Sequence, residues 1–230
     1  MSKEHNHADI SISDLFGKSE NFYPKFYKKV KSFGELNILD LGSGIPLNLF
    51  LAYHVFNCKS LFFNDSCPEK ILVDNFLNQY HSQKDRFPEK LKSAKSFFDI
   101  YSSLLAPDKN CETKKIKEEA IFNDIFLKNF NRMPISKFLC SFDIKQDIII
   151  ASNIFHLLTP DIYVFCLKRI KQLLVKDGLL IVRIQDKPGF SGTEFLDRLL
   201  ELYPNSEIFN YSKDEKWHHS IIINQSGLLN

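Results

Sequence analysis

Between Leu36 and Glu69 the chain reads Leu-Asn-Ile-Leu-Asp-Leu-Gly-Ser-Gly-Ile-Pro-Leu-Asn and, a helix-length later, Leu-Phe-Phe-Asn-Asp-Ser-Cys-Pro-Glu. Few folds accommodate that order. The apolar run Asn37 to Leu41 is short and stops at Gly42-Ser43-Gly44, as a strand buried on both faces of a parallel sheet would. Two glycines permit backbone angles closed to other residues and let a ligand approach the main chain. Pro46, just before Asn48, suits a first helical turn, whose free N–H groups make a ligand site. A second apolar run, Ser60 to Asn64, ends in Asp65. About twenty residues past the first strand is where a nucleotide-binding βαβ unit places the carboxylate that accepts both ribose hydroxyls. Ser66 follows as a candidate helix cap.

A dinucleotide and an adenosyl ligand fit this unit equally well so far. A dinucleotide fingerprint has a third small residue three places after its second glycine, and here that place is Leu47. An acid ending the first strand, Asp40, followed by Gly-x-Gly, instead resembles motif I of class I S-adenosyl-L-methionine-dependent methyltransferases. The alternative is a glycine turn in an unrelated α/β protein, against which the spacing of Asp65 argues.

At 230 residues the chain can bury a substantial core, and one α/β domain over residues 1–230 is expected. Thirty basic and 28 acidic residues leave a net charge of +2, which is no polyanion-binding signature, so nucleic acid is not favoured as a partner. Lysines cluster at 25–31 and 109–117, where acids or aromatics interrupt them, as on a solvated helix face. The five cysteines show no CxxC spacing, which predicts a reduced, intracellular protein without a cysteine-based metal site. The polar N-terminus lacks a signal-peptide core, and no apolar run reaches membrane-spanning length, so a soluble, cytoplasmic protein is expected.

Along the chain, residues 13–32 carry Leu15, Phe16, Phe22, Tyr23, Phe26, Tyr27 and Val30 at helical spacing. Residues 1–33 are thus either a helix packed on the sheet edge or a lid in which Tyr23 or Tyr27 closes over the ligands. Crossover helices are predicted over 47–56 and 68–83. Residues 84–117 form an insertion in a connection usually much shorter. The run Ala120 to Phe126 reads as a third strand ending in Asp124. Asp147 to Ser152 is the fourth strand; Asn153 and His156 in its exit loop should face the reaction site, because open parallel sheets bind ligands beyond strand carboxyl ends. A helix from Thr159-Pro160 to Val175 ends at Lys176-Asp177-Gly178, followed by a fifth strand over 179–184, a helix over 193–202, and an antiparallel pair, 207–211 with 220–224.

Element order and the three acids together resemble a class I methyltransferase over nearly the whole chain, most closely the nicotinamide, phenylethanolamine and indolethylamine N-methyltransferase family. The resemblance implies a Rossmann-like α/β fold: a central, mostly parallel seven-stranded sheet with an antiparallel last strand and helices on both faces. It implies S-adenosyl-L-methionine as cofactor, bound by Asp40, Gly42, Ser43, Gly44, Asn48, Asp65, Ser66, Asp124, Ile125 and Asn153, with Asp124 accepting from the adenine amino group. The acid that the family places after the fifth strand to hold the substrate amine has its nearest matches at Gln185 and Asp186. An enzyme moving a methyl group to a nitrogen or oxygen of a small molecule follows, with a protein or RNA methyltransferase, or a silent cofactor-binding subunit, as alternatives. An alcohol or ammonium acceptor must lose a proton, so His156 is either a near-neutral base or a loop residue bonded to backbone.

Overall fold

The computed structural model describes residues 34–43, 58–67, 130–213 and 218–225. Strands β1 (Leu36–Leu41), β2 (Cys58–Asn64), β3 (Phe130–Asn131), β4 (Gln146–Ser152), β5 (Leu174–Gln185), β6 (Glu207–Lys213) and β7 (His218–Asn224) form one sheet in the order β3-β2-β1-β4-β5-β7-β6. Pairing is parallel from β3 through to β5, and β7 is antiparallel to both β5 and β6. Six strands therefore run one way and β7 alone runs back, as the sequence predicts.

Strands at the middle of such a sheet have no solvent face, which explains why they read as unbroken apolar runs. Ile148, Ile149 and Ile150 of β4 and Ile38 and Leu39 of β1 have no exposed surface. Register fixes which residues share a face. Leu39 aligns with Ile149, Ile149 with Leu180, and Leu180 with Ile223. This face packs against helices α1 (Ile135–Ser141), α2 (Pro160–Leu173) and α3 (Gly192–Leu202) and the one-turn 3-10 helix Phe155–Leu157, through Phe138, Leu139, Phe155, Leu167, Ile170, Phe195 and Leu199. On the other face, Ile38, Ile148, Ile150, Ile181 and Ile222 are equally buried.

Polar side chains tie these helices together by donating to backbone carbonyls of their neighbours. Arg169 on α2 donates from Nε to Leu139 O and from Nη2 to Phe142 O, both at 2.9 Å, and pairs with Asp143. Tyr203, just past α3, donates its hydroxyl to Leu167 O at 3.2 Å. No helix of the described residues is long and apolar enough to cross a membrane, and Cys67, Cys140 and Cys166 carry free thiols.

Two sequence expectations need revision. The helix predicted to reach Val175 stops at Leu173, and Leu174 is already extended and aligned with Gln146. Gly178 is not its left-handed stop, since positive φ among the described glycines belongs to Gly34, Gly42 and Gly189. It lies where the β4–β5 register shifts, and a Cβ there would stand 3.0 Å from both Leu174 Cδ2 and Val175 O. Close packing, rather than helix termination, is what a side chain there would disturb. The strand beside β2 is Phe130–Asn131, not the run 120–126, which lies outside the described residues together with the predicted helices 47–56 and 68–83, the N-terminal segment 1–33 and the insertion 84–117.

With only two residues, β3 depends on its neighbour's side chain. Asn64, 1% exposed, donates from Nδ2 to Asn131 O at 3.1 Å and to Met133 O at 2.9 Å, and Asp65 N donates to Asn131 O at 3.1 Å. Replacing Asn64 with Ala should cost about 1–3 kcal/mol, the penalty for leaving buried carbonyls with fewer partners. Urea unfolding measures it, and hydrogen exchange should show faster protection loss at Asp65 N–H than at the β4 amides.

Candidate functional site at the carboxyl edge of the sheet

Chain order places β2 and β3 on one side of β1 and β4 and β5 on the other. The reversal between β1 and β4 opens a crevice beyond their carboxyl ends, where open α/β sheets bind ligands. Three exit loops meet there. Gly42 after β1 has φ 64°. Ser43 N donates to Asn64 O at 3.0 Å, closing the turn onto the end of β2. Ile154, after β4, reaches across so that a Cβ on Gly42 would lie 2.4 Å from its Cδ1. The space that the sequence suggested glycine would leave for a ligand is filled at Gly42 by this side chain. Nothing in the motif around Gly42 announces Ile154; the only signal is an aliphatic residue directly after the polar end of β4.

Two acids stand at the ends of β1 and β2. Asp65 is half-buried, and its Oδ1 accepts from Cys67 N at 2.8 Å, an Asx turn that fixes the carboxylate's direction. Asp40 is 5% exposed and aligned between Phe63 and Ile150. Burial pushes its carboxyl well above the usual carboxylate range, and the charge of Asp65 pushes it the same way. Ser66 is exposed beside them.

Asn153 closes the crevice on the β4 side. It is the one non-glycine at positive φ among the described residues, with φ 57°, a region Asn tolerates better than most residues. Its N–H donates to Arg183 O of β5 at 2.6 Å, while its buried Oδ1 accepts no hydrogen bond. A buried orphan acceptor costs stability and calls for a donor from elsewhere. His156 follows in the 3-10 turn, half-buried, its ring 6.2 Å from that of Phe190. Asp186, after β5, accepts from Gly192 N at 2.6 Å and so caps α3, next to Ser191 Oγ, which accepts from Glu194 N at 3.3 Å.

Of the sequence-derived site residues, Asp40, Gly42, Ser43, Asp65 and Asn153 thus gather at the β1–β2–β4 ends, while His156 and Asp186 stand toward β5. Gly44, Asn48, Asp124, Ile125, Tyr23 and Tyr27 lie outside the described residues. Among the described residues no three His, Cys, Asp or Glu side chains cluster as a metal site would require.

No family model and no curated protein sequence matches the chain. Solved structures do. The 1,6-didemethyltoxoflavin-N1-methyltransferase of Burkholderia thailandensis, solved with 1,6-didemethyltoxoflavin and S-adenosylhomocysteine, superposes with a TM-score of 0.50 at 11% identity, covering 94% of this chain and 87% of that one. The N-methyltransferase NodS of Bradyrhizobium japonicum WM9, in complex with S-adenosylhomocysteine, gives 0.49 at 11% identity over 95% and 93% of the two chains. The PH0226 protein of Pyrococcus horikoshii OT3 gives 0.49 at 13% identity over 94% and 93%. The chain has the Rossmann-like fold of class I methyltransferases.

Two outcomes follow from the site's packing. Gly42→Ala should cost at least the roughly 1–2 kcal/mol of a left-handed residue with a Cβ, plus the overlap with Ile154. Ile154→Ala should recover part of that loss in the double variant, so the two changes should couple in a urea double-mutant cycle. Asp40, with its folded-state value raised, binds more protons folded than unfolded between the two values. Stability should therefore fall as pH rises through that window and stay low above it. Asp40→Asn should melt at higher temperature than the parent at neutral pH and show a flatter pH dependence.

Proposed function

We propose that this chain is an S-adenosyl-L-methionine-dependent methyltransferase acting on a nitrogen or oxygen of a small-molecule acceptor. The observation that carries the reading is the convergence of a left-handed glycine turn after β1, a fixed carboxylate after β2 and an unpartnered buried acceptor after β4 at the topological switch point. These residues fit an adenosyl cofactor. Asp65 would hold the ribose hydroxyls, its carboxylate already aimed by the Cys67 N–H. The turn Gly42-Ser43, continued by Gly44 and Asn48, would hold the amino-acid end, and Asp124 and Ile125 the adenine. Asn153 Oδ1 would take the donor it lacks. The cofactor supplies an electrophilic methyl carbon on a sulfonium.

What remains for the protein is to orient the acceptor in line with that carbon and to exclude water. With the ribose at β2 and the glycine turn at β1, the donor extends toward β4, and the acceptor's place is beyond it, over the ends of β4 and β5. His156 stands there. An alcohol or ammonium acceptor would give its proton to the imidazole, the side chain whose ordinary pKa lies nearest neutrality. Asp186 at the end of β5 and Tyr23 and Tyr27 of the N-terminal segment are the further residues we assign to the acceptor side, the latter two as part of a lid. The small-molecule acceptor is favoured by a chain whose +2 net charge offers no polyanion attraction.

Calorimetry tests the reading. The protein should bind S-adenosylmethionine and S-adenosylhomocysteine and not NAD, whose fingerprint lacks room for Leu47. Asp65→Ala should weaken either ligand at least about tenfold, since each charge-assisted hydrogen bond to the ribose is worth about 1.5–3 kcal/mol, with circular dichroism unchanged. Tight NAD binding without S-adenosylmethionine binding would overturn it.

A further inference from the structure

The tight turn between β5 and α3 carries an aromatic ring to the imidazole of His156. Lys187 and Phe190 exchange backbone hydrogen bonds, Lys187 N to Phe190 O at 3.1 Å and Phe190 N to Lys187 O at 2.9 Å, around Pro188-Gly189 with Gly189 at φ 82°. Asp186 locks the turn's base to Gly192 N at 2.6 Å. Phe190 is thereby held in a fixed position although it is only half-buried.

From that position its ring meets three others: Phe195 at 5.7 Å, Tyr163 at 6.1 Å and His156 at 6.2 Å, the last at 72°. The first two belong to the core, since Phe195 is fully buried and also touches Phe155 at 5.0 Å. Phe155 and His156 are consecutive in a 3-10 turn of only three residues. Phe155 is fully buried, and His156, the next residue of the turn, is half-buried. Phe190 is the ring in edge-to-face contact with it, a geometry aromatic pairs prefer.

We propose that Phe190 is a positioning residue for His156: the β5–α3 turn holds its ring so that the imidazole has one orientation above the ends of β4 and β5. The role of His156 as proton acceptor rests on the methyltransferase reading; the Phe190–His156 contact does not. Positioning matters because proton transfer needs the base within hydrogen-bond reach of the acceptor, and a small rotation forfeits it.

The test compares the parent with Phe190→Leu, Phe190→Tyr and Gly189→Ala, the last displacing the turn without removing the ring, and with His156→Gln to assign the imidazole signals. Proton–nitrogen correlation spectra of the free protein should show the His156 signals moved in Phe190→Leu and Gly189→Ala and parent-like in Phe190→Tyr. Turnover of labelled S-adenosylmethionine on a pool of small phenols, alcohols and amines should drop at least about tenfold in kcat for Phe190→Leu, against the 10²–10⁴ that a general base contributes. KM for S-adenosylmethionine should hold, and Phe190→Tyr should restore kcat. Unmoved His156 signals in both folded ring and turn variants, or an unchanged kcat, would overturn the proposal. Failure of the parent to bind S-adenosylhomocysteine would instead overturn the methyltransferase reading, and the spectra would still decide the role of Phe190.

Discussion

The contact of Ile154 with the Cα face of Gly42 is what lets the β1 and β4 ends act as one surface. The two strands are neighbours in space but lie more than a hundred residues apart in sequence. Backbone pairing joins them only as far as Asp40 and Ile150, so beyond that point the exit loops could diverge. An isoleucine laid over a residue with no Cβ brings them together at van der Waals range. Ser43 and Asn64 do the same for β1 and β2 with a hydrogen bond. The site's polar groups inherit their relative positions from these two contacts, one apolar and one polar.

Electrostatics adds a cost that the fold bears. A carboxyl as buried as that of Asp40, with a second carboxylate nearby, is unfavourable as an anion. Nothing in the packing of β1 demands an acid, since the adjacent positions on its face are filled by aliphatic and aromatic side chains. The same holds for Asn153, which combines a left-handed backbone with an orphan acceptor. Local rules are broken where the fold places ligands, which is where such breaches are expected.

The sheet was largely legible in the sequence. β1, β4 and β5 each hold a short apolar run, Ile38-Leu39, Ile148 to Ala151 and Leu179 to Val182, the pattern doubly buried strands impose, and β7 holds another, Ile221 to Ile223. Asp40, Gly42, Asp65 and Asn153 were legible because strand ends and their spacing fix them. Phe130–Asn131 was not: two residues carry no periodicity, and their place depends on the Asn64 amide, a tertiary contact. The short α1 escaped for the same reason, its end being secured by Arg169, some thirty residues away. The end of α2 was misread because Lys176-Asp177-Gly178 has the composition of a helix stop, whereas Gly178 answers to a register shift between β4 and β5. Ile154 and Phe190 were invisible because their importance lies in what they touch.

The reversed direction of β7 has an architectural consequence. A parallel strand would have required a crossover returning over the sheet, and its connection would open at the amino edge. Running back instead, β7 enters the sheet at the carboxyl edge, where His218 aligns with Gln185 of β5 and His219 with Lys213 of β6. Deeper in the sheet, Ile221, Ile222 and Ile223 pair with Val182, Ile181 and Leu180 and are buried. The one strand that runs against the others thus starts at the edge where β4 and β5 finish and carries its isoleucines inward from there.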